Sequence, residues 1–392
     1  VRTLPDNPNL DHLRRQAKDL LAGLRDTDPA ASLADAQASL ARQYGFGGWT
    51  ELKAEVDRMR ESGEVADPWL ARAVTQRYGL GEVTAPMRSL IRADHSGRPY
   101  CLETDRGRFA ARTMDDWIPI VDAETDVALQ EAAAAAGVAL PAPVRSRTGA
   151  VVEEIGGRRW RCYRWRHSGP PLAAPVSATH TRAVGRILAT IHRLGLPVDR
   201  ISPWHASRLS RASWVDLAAR ARAAGAGWAD TLADLVPELE DLDSIGARPP
   251  GAPPVLCHNA LGPADVRLGP GGHLIVFDWE RAGGQPPAWE LADVLTHWTV
   301  DPDGDVNAAG ARALVEGYRE VAGELPPLDI EAFSGAATSM SNYLSGQVGR
   351  VLSTTDPEQR RHATRSVRHL LAHPRTRTTF ERILDAVLVA TS

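Results

Sequence analysis

Lysine is almost missing from this chain: of 45 basic residues only Lys18 and Lys53 are lysine, and the other 43 are arginine. Arginine does not lose its proton near neutral pH. From Ala54 onward no side chain can serve as an amine nucleophile or Schiff-base former. Pyridoxal-phosphate chemistry and Walker-type phosphate loops are therefore excluded for most of the 392 residues. Cysteine is also scarce: Cys101, Cys162 and Cys257 are isolated, fit no zinc spacing or disulfide framework, and point to a reducing compartment. No apolar run of about 18 residues occurs, so no membrane span is expected. The opening VRTLPDNPNLDHLRRQ lacks the apolar stretch of a signal peptide. With a formal net charge of -4 there is no global pull toward nucleic acid or anionic lipid. The expectation is a soluble, cytoplasmic protein with neither nucleic-acid nor membrane partners.

What is present is globular. Hydrophobic residues make up 43% of the chain and charged ones 24%, enough for a sizeable core, and the length predicts two or more folding units. Residues 1–66 read as a small helical module. Asn9 caps a segment with Leu10, Leu13, Ala17, Leu20 and Leu21 at helical spacing; a second helix runs from Ser32 to Tyr44 and a third follows Gly48. Packing on the rest of the chain is the plain reading of these helices, and self-association or a protein partner is the alternative. Parts of this stretch resemble helical leaders found ahead of ankyrin arrays, but no repeat follows. Ser62 to Pro68 reads as a linker.

Residues 67–166 change to short strands. Ser89–Arg92, Tyr100–Thr104 and Arg108–Thr113 are separated by the turn signals Ser96-Gly97 and Asp105-Arg106-Gly107. A helix from Asp122 to Ala136 ends at Gly137, and two further strands are expected at Ala150–Ile155 and Arg159–Trp165. Residues 167–392 read as helical, interrupted at 257–280 by a strand, a loop, a second strand, a Gly-rich turn and a third strand.

The chemistry-bearing run is Cys257-His258-Asn259-Ala260-Leu261-Gly262-Pro263-Ala264-Asp265-Val266, followed by Ile275-Val276-Phe277-Asp278-Trp279-Glu280. It resembles the aminoglycoside phosphotransferase and choline kinase-like family, whose loop reads H-[GR]-D-L-x-P-x-N-V and is followed by [VI]-x-D-[WF]-E. Gly107-Arg108-Phe109-Ala110-Ala111-Arg112, Ala136-Gly137-Val138-Ala139-Leu140-Pro141, Val184 to His192, and Pro287-Ala288-Trp289-Glu290-Leu291-Ala292-Asp293 extend the likeness over roughly residues 68 to 385. The resemblance implies an α+β, two-lobed protein-kinase-like phosphotransferase fold behind the helical module. It also implies ATP and Mg2+ as cofactors and a small-molecule ligand, cationic or hydroxylated.

In phosphoryl transfer of this kind the loop Asp accepts the proton of the attacking hydroxyl. The loop Asn and the second Asp hold magnesium, and the lysine on the third strand grips the α/β-phosphates. This chain places Ala260, Asp265, Asp278 and Arg112 at those four positions. Ala260 has no atom that accepts a proton, whereas Asp265 and Asp278 are two hard carboxylates suited to magnesium. Arg112 keeps the positive charge and binds phosphate bidentately. His258 and Asp265 are the remaining candidates for catalysis in the loop. Ser96 and Gly97 lie where the family covers the nucleotide, and Tyr163 and Trp165 lie in the crossover that faces the adenine. Glu124 or Asp126 is the expected acid partner of Arg112, and Asp293, Asp301, Asp303 and Asp305 are candidates to receive a cationic acceptor. Three functions follow. The chain is a family member with a degenerate transfer site that binds a nucleotide or small molecule or does altered chemistry in the old cleft; or an active ATP-dependent O-phosphotransferase with a displaced base, Asp265; or a structural or regulatory partner protein acting through its N-terminal helices.

Overall fold

The computed structural model describes residues 2, 4, 8–59, 65–90, 99–114, 120–301 and 303–388. Three helices come first: α1 (Leu10–Arg25), α2 (Leu33–Gln43) and α3 (Trp49–Met59). Each begins near its expected position, α1 capped by Asn9 and α2 by a reciprocal Ser32–Asp35 capping box.

The first lobe opens with an unexpected helix, α4 (Pro68–Tyr78), which begins at the last residue of the expected linker where short strands were expected to follow. Its start signal is ordinary: Asp67 caps it, Pro68 occupies the first turn, and Gly79 ends it at φ 67°. The strands β1 (Arg88–Ser89), β2 (Pro99–Thr104) and β3 (Gly107–Thr113) follow, then α5 (Ala123–Ala135), β4 (Pro143–Val144), β5 (Glu153–Ile155) and β6 (Arg158–Arg164). They form one antiparallel sheet in the order β1-β2-β3-β6-β4, with β5 also paired to β6. Strand alternation gives the sheet two different faces. Leu102, Phe109, Ala111, Trp160 and Cys162 pack with Ala71, Val74 and Tyr78 of α4. On the opposite face Arg112 of β3 stands directly across from Arg161 of β6.

The second lobe contains α6 (Ala178–Arg193), α7 (Pro203–Ala206), α8 (Trp214–Ala223), α9 (Ala229–Asp234) and α10 (Val236–Gly246). The hairpin region follows with β7 (Val255–Cys257), β8 (Val266–Leu268), β9 (Leu274–Val276) and β10 (Gly283–Gln285), and then α11 (Pro287–Thr299), α12 (Ala308–Ala322), α13 (Ser334–Ser353), α14 (Pro357–Ala372) and α15 (Arg377–Leu388). The core gathers Leu188, Ile191, Val276, Leu291, Trp298 and Leu314, with Phe333 stacked on Phe380 at 4.5 Å. Each such side chain, fully buried, contributes about 1.5–3 kcal/mol. Helices α6 and α12 touch through their backbones. A Cβ on Gly185 would lie 1.9 Å from the Leu314 carbonyl oxygen, and one on Gly317 would lie 2.0 Å from that of Arg182.

The N-terminal helices dock on the second lobe and on the connector that leads into it. Gln16 donates to the Pro171 carbonyl and Gln43 to that of Ala174. Asp26 accepts the Ala178 N–H, and Arg42 pairs with Asp303 at 2.7 Å. Helix α1 presses on the connector closely enough that a Cβ on Gly23 would sit 2.1 Å from the Pro175 carbonyl oxygen. Among the described residues no helix is long and apolar enough to cross a membrane.

Candidate active site

The loop after β7 is held at nearly every polar atom. His258 is buried; its Nε2 donates to the Phe277 carbonyl at 2.9 Å, its Nδ1 accepts the Ala260 N–H at 3.3 Å, and its ring stands edge-on to Trp279 at 4.7 Å. A ring that donates on one nitrogen and accepts on the other is neutral, and burial holds the His258 pKa below its ordinary value despite the nearby acids. Asn259 has φ 62°, the left-handed region that Asn tolerates better than most residues. Its N–H donates to Glu290 Oε1 at 2.6 Å, and its Oδ1 accepts from Gln285 Nε2 at 2.7 Å. Glu290 in turn takes His192 Nε2 at 2.8 Å, and His192 Nδ1 meets the Tyr318 hydroxyl at 2.9 Å. Burial pushes the Glu290 carboxyl up, but its hydrogen bonds and the neighbouring histidines outweigh this and hold it below the ordinary range. The Leu261 carbonyl accepts the Trp298 indole N–H at 2.7 Å. Ala260, half-buried within this scaffold, offers only a methyl group.

Two acids converge beside the loop. Asp265 ends a 3-10 turn, Pro263–Asp265, and its carbonyl accepts the Phe277 N–H at 2.8 Å. Asp278 has φ 58° and leads into a second such turn, Trp279–Arg281. The two carboxyl groups hydrogen-bond each other. Burial and the charge of Asp278 push Asp265 well above the carboxylate range. Burial also pushes Asp278 up, but Arg112, Arg281 and the hydrogen bond from Asp265 overcome this and hold it well below that range. The mutual repulsion of two acids this close favours a shared proton, with Asp265 the carboxyl pushed toward holding it. The donor set fits a hard divalent cation, which would take the place of that shared proton between the two carboxylates.

Arg112 Nη1 lies 2.7 Å from Asp278 Oδ1 and 3.6 Å from Glu280 Oε1. Glu280 is anchored by the Tyr163 hydroxyl, which donates to the same Oε1 at 2.7 Å. This corrects the expected partner of Arg112. Asp126 is gripped in bidentate fashion by Arg161, at 2.6 and 2.8 Å, with both side chains buried. Glu124 is exposed and pairs with Arg145 at 2.8 Å. The cause is the register of β3 and β6: with Arg112 and Arg161 side by side, one arginine takes the α5 acid and the other turns to the acids of the Trp279–Arg281 turn.

The other expected site residues divide as follows. Tyr163 is buried and committed to Glu280, while the Trp165 ring lies under the Arg108 guanidinium at 5.4 Å. The Arg164 and Trp165 N–H groups donate to the Ala142 and Arg108 carbonyls, so neither is offered to a ligand. Ser96 and Gly97 lie outside the described residues. Of the acids considered for a cationic acceptor, Asp293, Asp301 and Asp303 are engaged within the chain, while Asp305 is exposed. Asp293 is buried with His297 at 3.4 Å, Asp301 accepts the N–H groups of Asp303 and Asp305, and Asp303 holds Arg42. Glu280, Glu290 and Arg161 join the site without having been expected in it. The first two stand inside motifs already in view, FDWE and WELA, whereas Arg161 carried no signal of its own.

Residues 88–323 match the phosphotransferase enzyme family. The homoserine kinase of Methylorubrum populi is 29% identical over 306 residues, spanning 75% of this chain and 91% of that protein. That of Xanthobacter autotrophicus is 30% identical over 223 residues, spanning 57% and 67%. Among solved structures, spectinomycin phosphotransferase in complex with ADP and spectinomycin superposes with a TM-score of 0.62 at 12% identity, covering 82% of this chain and 98% of that one. Amicoumacin kinase in complex with AMP-PNP and Ca2+ does so with a TM-score of 0.53 at 14% identity, covering 85% and 99%. At these identities the structural likeness establishes the kinase-like phosphotransferase fold.

Proposed function

We propose that in this member of the phosphotransferase enzyme family, whose relatives include homoserine kinases, transfer through a loop carboxylate has been lost while the cleft still binds a metal-nucleotide or a related small ligand. The observation that carries this reading is Ala260. The backbone around it is held by Glu290, His258 and Trp298, at the loop position where the family carries its proton-accepting Asp, yet its own side chain is a methyl group that accepts no proton. Losing a general base costs on the order of 10² to 10⁴ in rate.

Asp278 and Asp265 would hold the cation, which supplies charge compensation for phosphate groups when bound. Arg112 would orient phosphate oxygens through its planar fork. His258 keeps the loop in register and moves no proton, since both its nitrogens are committed to backbone groups.

The competing reading is an active O-phosphotransferase that uses Asp265 as a displaced base. Burial and the neighbouring Asp278 disfavour the ionised form of its carboxyl, and a bound cation would claim the same oxygens, which counts against that role. The relatives named homoserine kinase supply the first acceptor to try. ATP consumption by the full-length protein should be followed with homoserine, choline and a panel of aminoglycosides, and magnesium-dependent ADP binding measured by calorimetry. Binding without turnover supports the proposal. Turnover of order 1 per second with any acceptor replaces it with the displaced-base reading.

A further inference from the structure

One guanidinium nitrogen, Arg112 Nη1, faces two acids at unequal distances: Asp278 Oδ1 at 2.7 Å and Glu280 Oε1 at 3.6 Å. Asp278 is the more open of the two, its side chain 31% exposed, while that of Glu280 is 8% exposed and pinned by the Tyr163 hydroxyl. The third acid on this face, Asp126, is engaged at both oxygens by Arg161 and also accepts from Gln130. Among the described residues these contacts give Arg112 one acid that a cation would claim and one that stays in place when the first is taken.

We propose that Arg112 is a gate on the two-carboxylate site: it closes on Asp278 in the absence of a cation, and a divalent cation entering between Asp278 and Asp265 displaces it onto Glu280. Glu280 is then a positioning residue whose task is to receive the arginine. The gate rests on the reading of Asp278 and Asp265 as the cation-holding pair. It adds that the arginine at the phosphate-gripping position competes with the metal instead of merely assisting the nucleotide. A guanidinium at 2.7 Å from a carboxylate is a charge-assisted hydrogen bond, so cation entry must break it. A lysine-for-arginine exchange would not be equivalent, since the ammonium is a point charge without the fork.

The experiment uses Mn2+ alone, without nucleotide, and the full-length protein, with bound ion measured from the loss of the free-ion electron paramagnetic resonance signal. The variants are Arg112→Met, Glu280→Gln, the two combined, and Asp278→Asn. Gln at 280 still offers an oxygen to the Tyr163 hydroxyl, which keeps that anchor. The gate predicts Mn2+ affinity about tenfold higher in Arg112→Met than in wild type. It also predicts weaker binding in Glu280→Gln, and no effect of Glu280→Gln once Arg112 is Met, because the residue acts only through the arginine. If Glu280→Gln weakens Mn2+ binding equally in both backgrounds, its charge acts on the metal directly and the gate is wrong. If Asp278→Asn loses binding but Arg112→Met gains none, the metal site stands and the gate falls. If Asp278→Asn binds as well as wild type, or no protein binds Mn2+, the underlying metal-site reading falls and takes the gate with it.

Discussion

Asp26 accepts the backbone N–H of Ala178 at 2.7 Å, so the helix that enters the second lobe is capped by the end of α1, 152 positions earlier in the chain. Ser177, which occupies the local cap position, makes no such bond with its own side chain. The same Asp26 carboxylate also receives Asn307 Nδ2 at 3.3 Å, which links it to the start of α12.

Removing this carboxylate should therefore destabilise the second lobe and not only the N-terminal helices. Asp26→Ala is expected to cost about 1 kcal/mol, the usual value of a lost cap. Urea unfolding followed by the fluorescence of the second-lobe tryptophans reads it directly. An unchanged midpoint would mean that the cap is replaced by water at no cost.

The contact between α6 and α12 makes an opposite pair of predictions for two glycines. Gly317→Ala places a methyl group 2.0 Å from a backbone carbonyl oxygen and should cost about 1–3 kcal/mol, because neither helix can yield without repacking the core. Gly346 on α13 is exposed with nothing within 4 Å of a Cβ, so Gly346→Ala should stabilise the protein by about 0.5–1 kcal/mol. Thermal melts of the two variants should move in opposite directions. Equal shifts would show that the α6–α12 approach is looser than described.

Much of this was legible in the sequence, for identifiable reasons. The hairpin of β2 and β3 announces itself through Asp105-Arg106-Gly107, and Gly107 indeed takes φ 120°. Helix α5 starts at its Asp122 cap and ends before Gly137, at φ 93°. The loop from His258 to Asp278 shows because it combines chemistry-bearing residues with a fixed spacing. Helix α4 was missed although Asp67 and Pro68 are a standard start signal, because the neighbouring Ser-Gly-Glu run reads as linker. The partners of Arg112 were out of reach for a different reason. Whether it meets Asp126 or Glu280 depends on which residue of β6 stands opposite it, and strand register does not show in local pattern. The acidic run from Asp301 to Asp305 has no use that local pattern could assign, since its place in a turn and its hold on Arg42 are decided by tertiary docking.

Acid should destabilise the protein from near neutrality downward. Burial, reinforced by nearby positive charge, lowers the His369 pKa to about 4, and burial also holds His258 and His205 below the ordinary value. A histidine that stays neutral when folded but charges near pH 6.5 when unfolded gives the unfolded state more protons in between. Its contribution is thus fully present above about pH 6.5 and is lost as pH falls through that value toward the folded pKa. The histidines' share of the melting temperature should drop from pH 7 to pH 5, opposed in part by Asp126, whose carboxyl is pushed up to about 6 by burial, and His369→Gln should shallow the slope. An unchanged slope in His369→Gln would contradict the neutral-histidine assignment.

The buried pair of Arg161 and Asp126 offers a test of how the sheet face is wired. Asp126→Leu strands a buried guanidinium and should cost about 3–5 kcal/mol, whereas Asp126→Leu combined with Arg161→Met should recover most of that loss. Calorimetric melts of the single and double variants decide it. A double variant no more stable than the single one would mean that the pair is not the isolated unit its bidentate geometry indicates.

The central claim is that the loop around Ala260 is intact and lacks only its base, and restoring the base tests it most directly. Ala260→Asp alone adds a third carboxyl beside Asp265 and Asp278, where like charges raise one another's pKa. Ala260→Asp together with Asp265→Asn supplies the base and the amide at once. ATP turnover with homoserine and the aminoglycoside panel should therefore rise in the double variant above both single variants and wild type. The expected gain is at least about tenfold, equivalent to about 1.4 kcal/mol of barrier. A wild-type protein that already turns over at an ordinary kinase rate, or a double variant that binds magnesium-nucleotide yet gains nothing, would contradict the account.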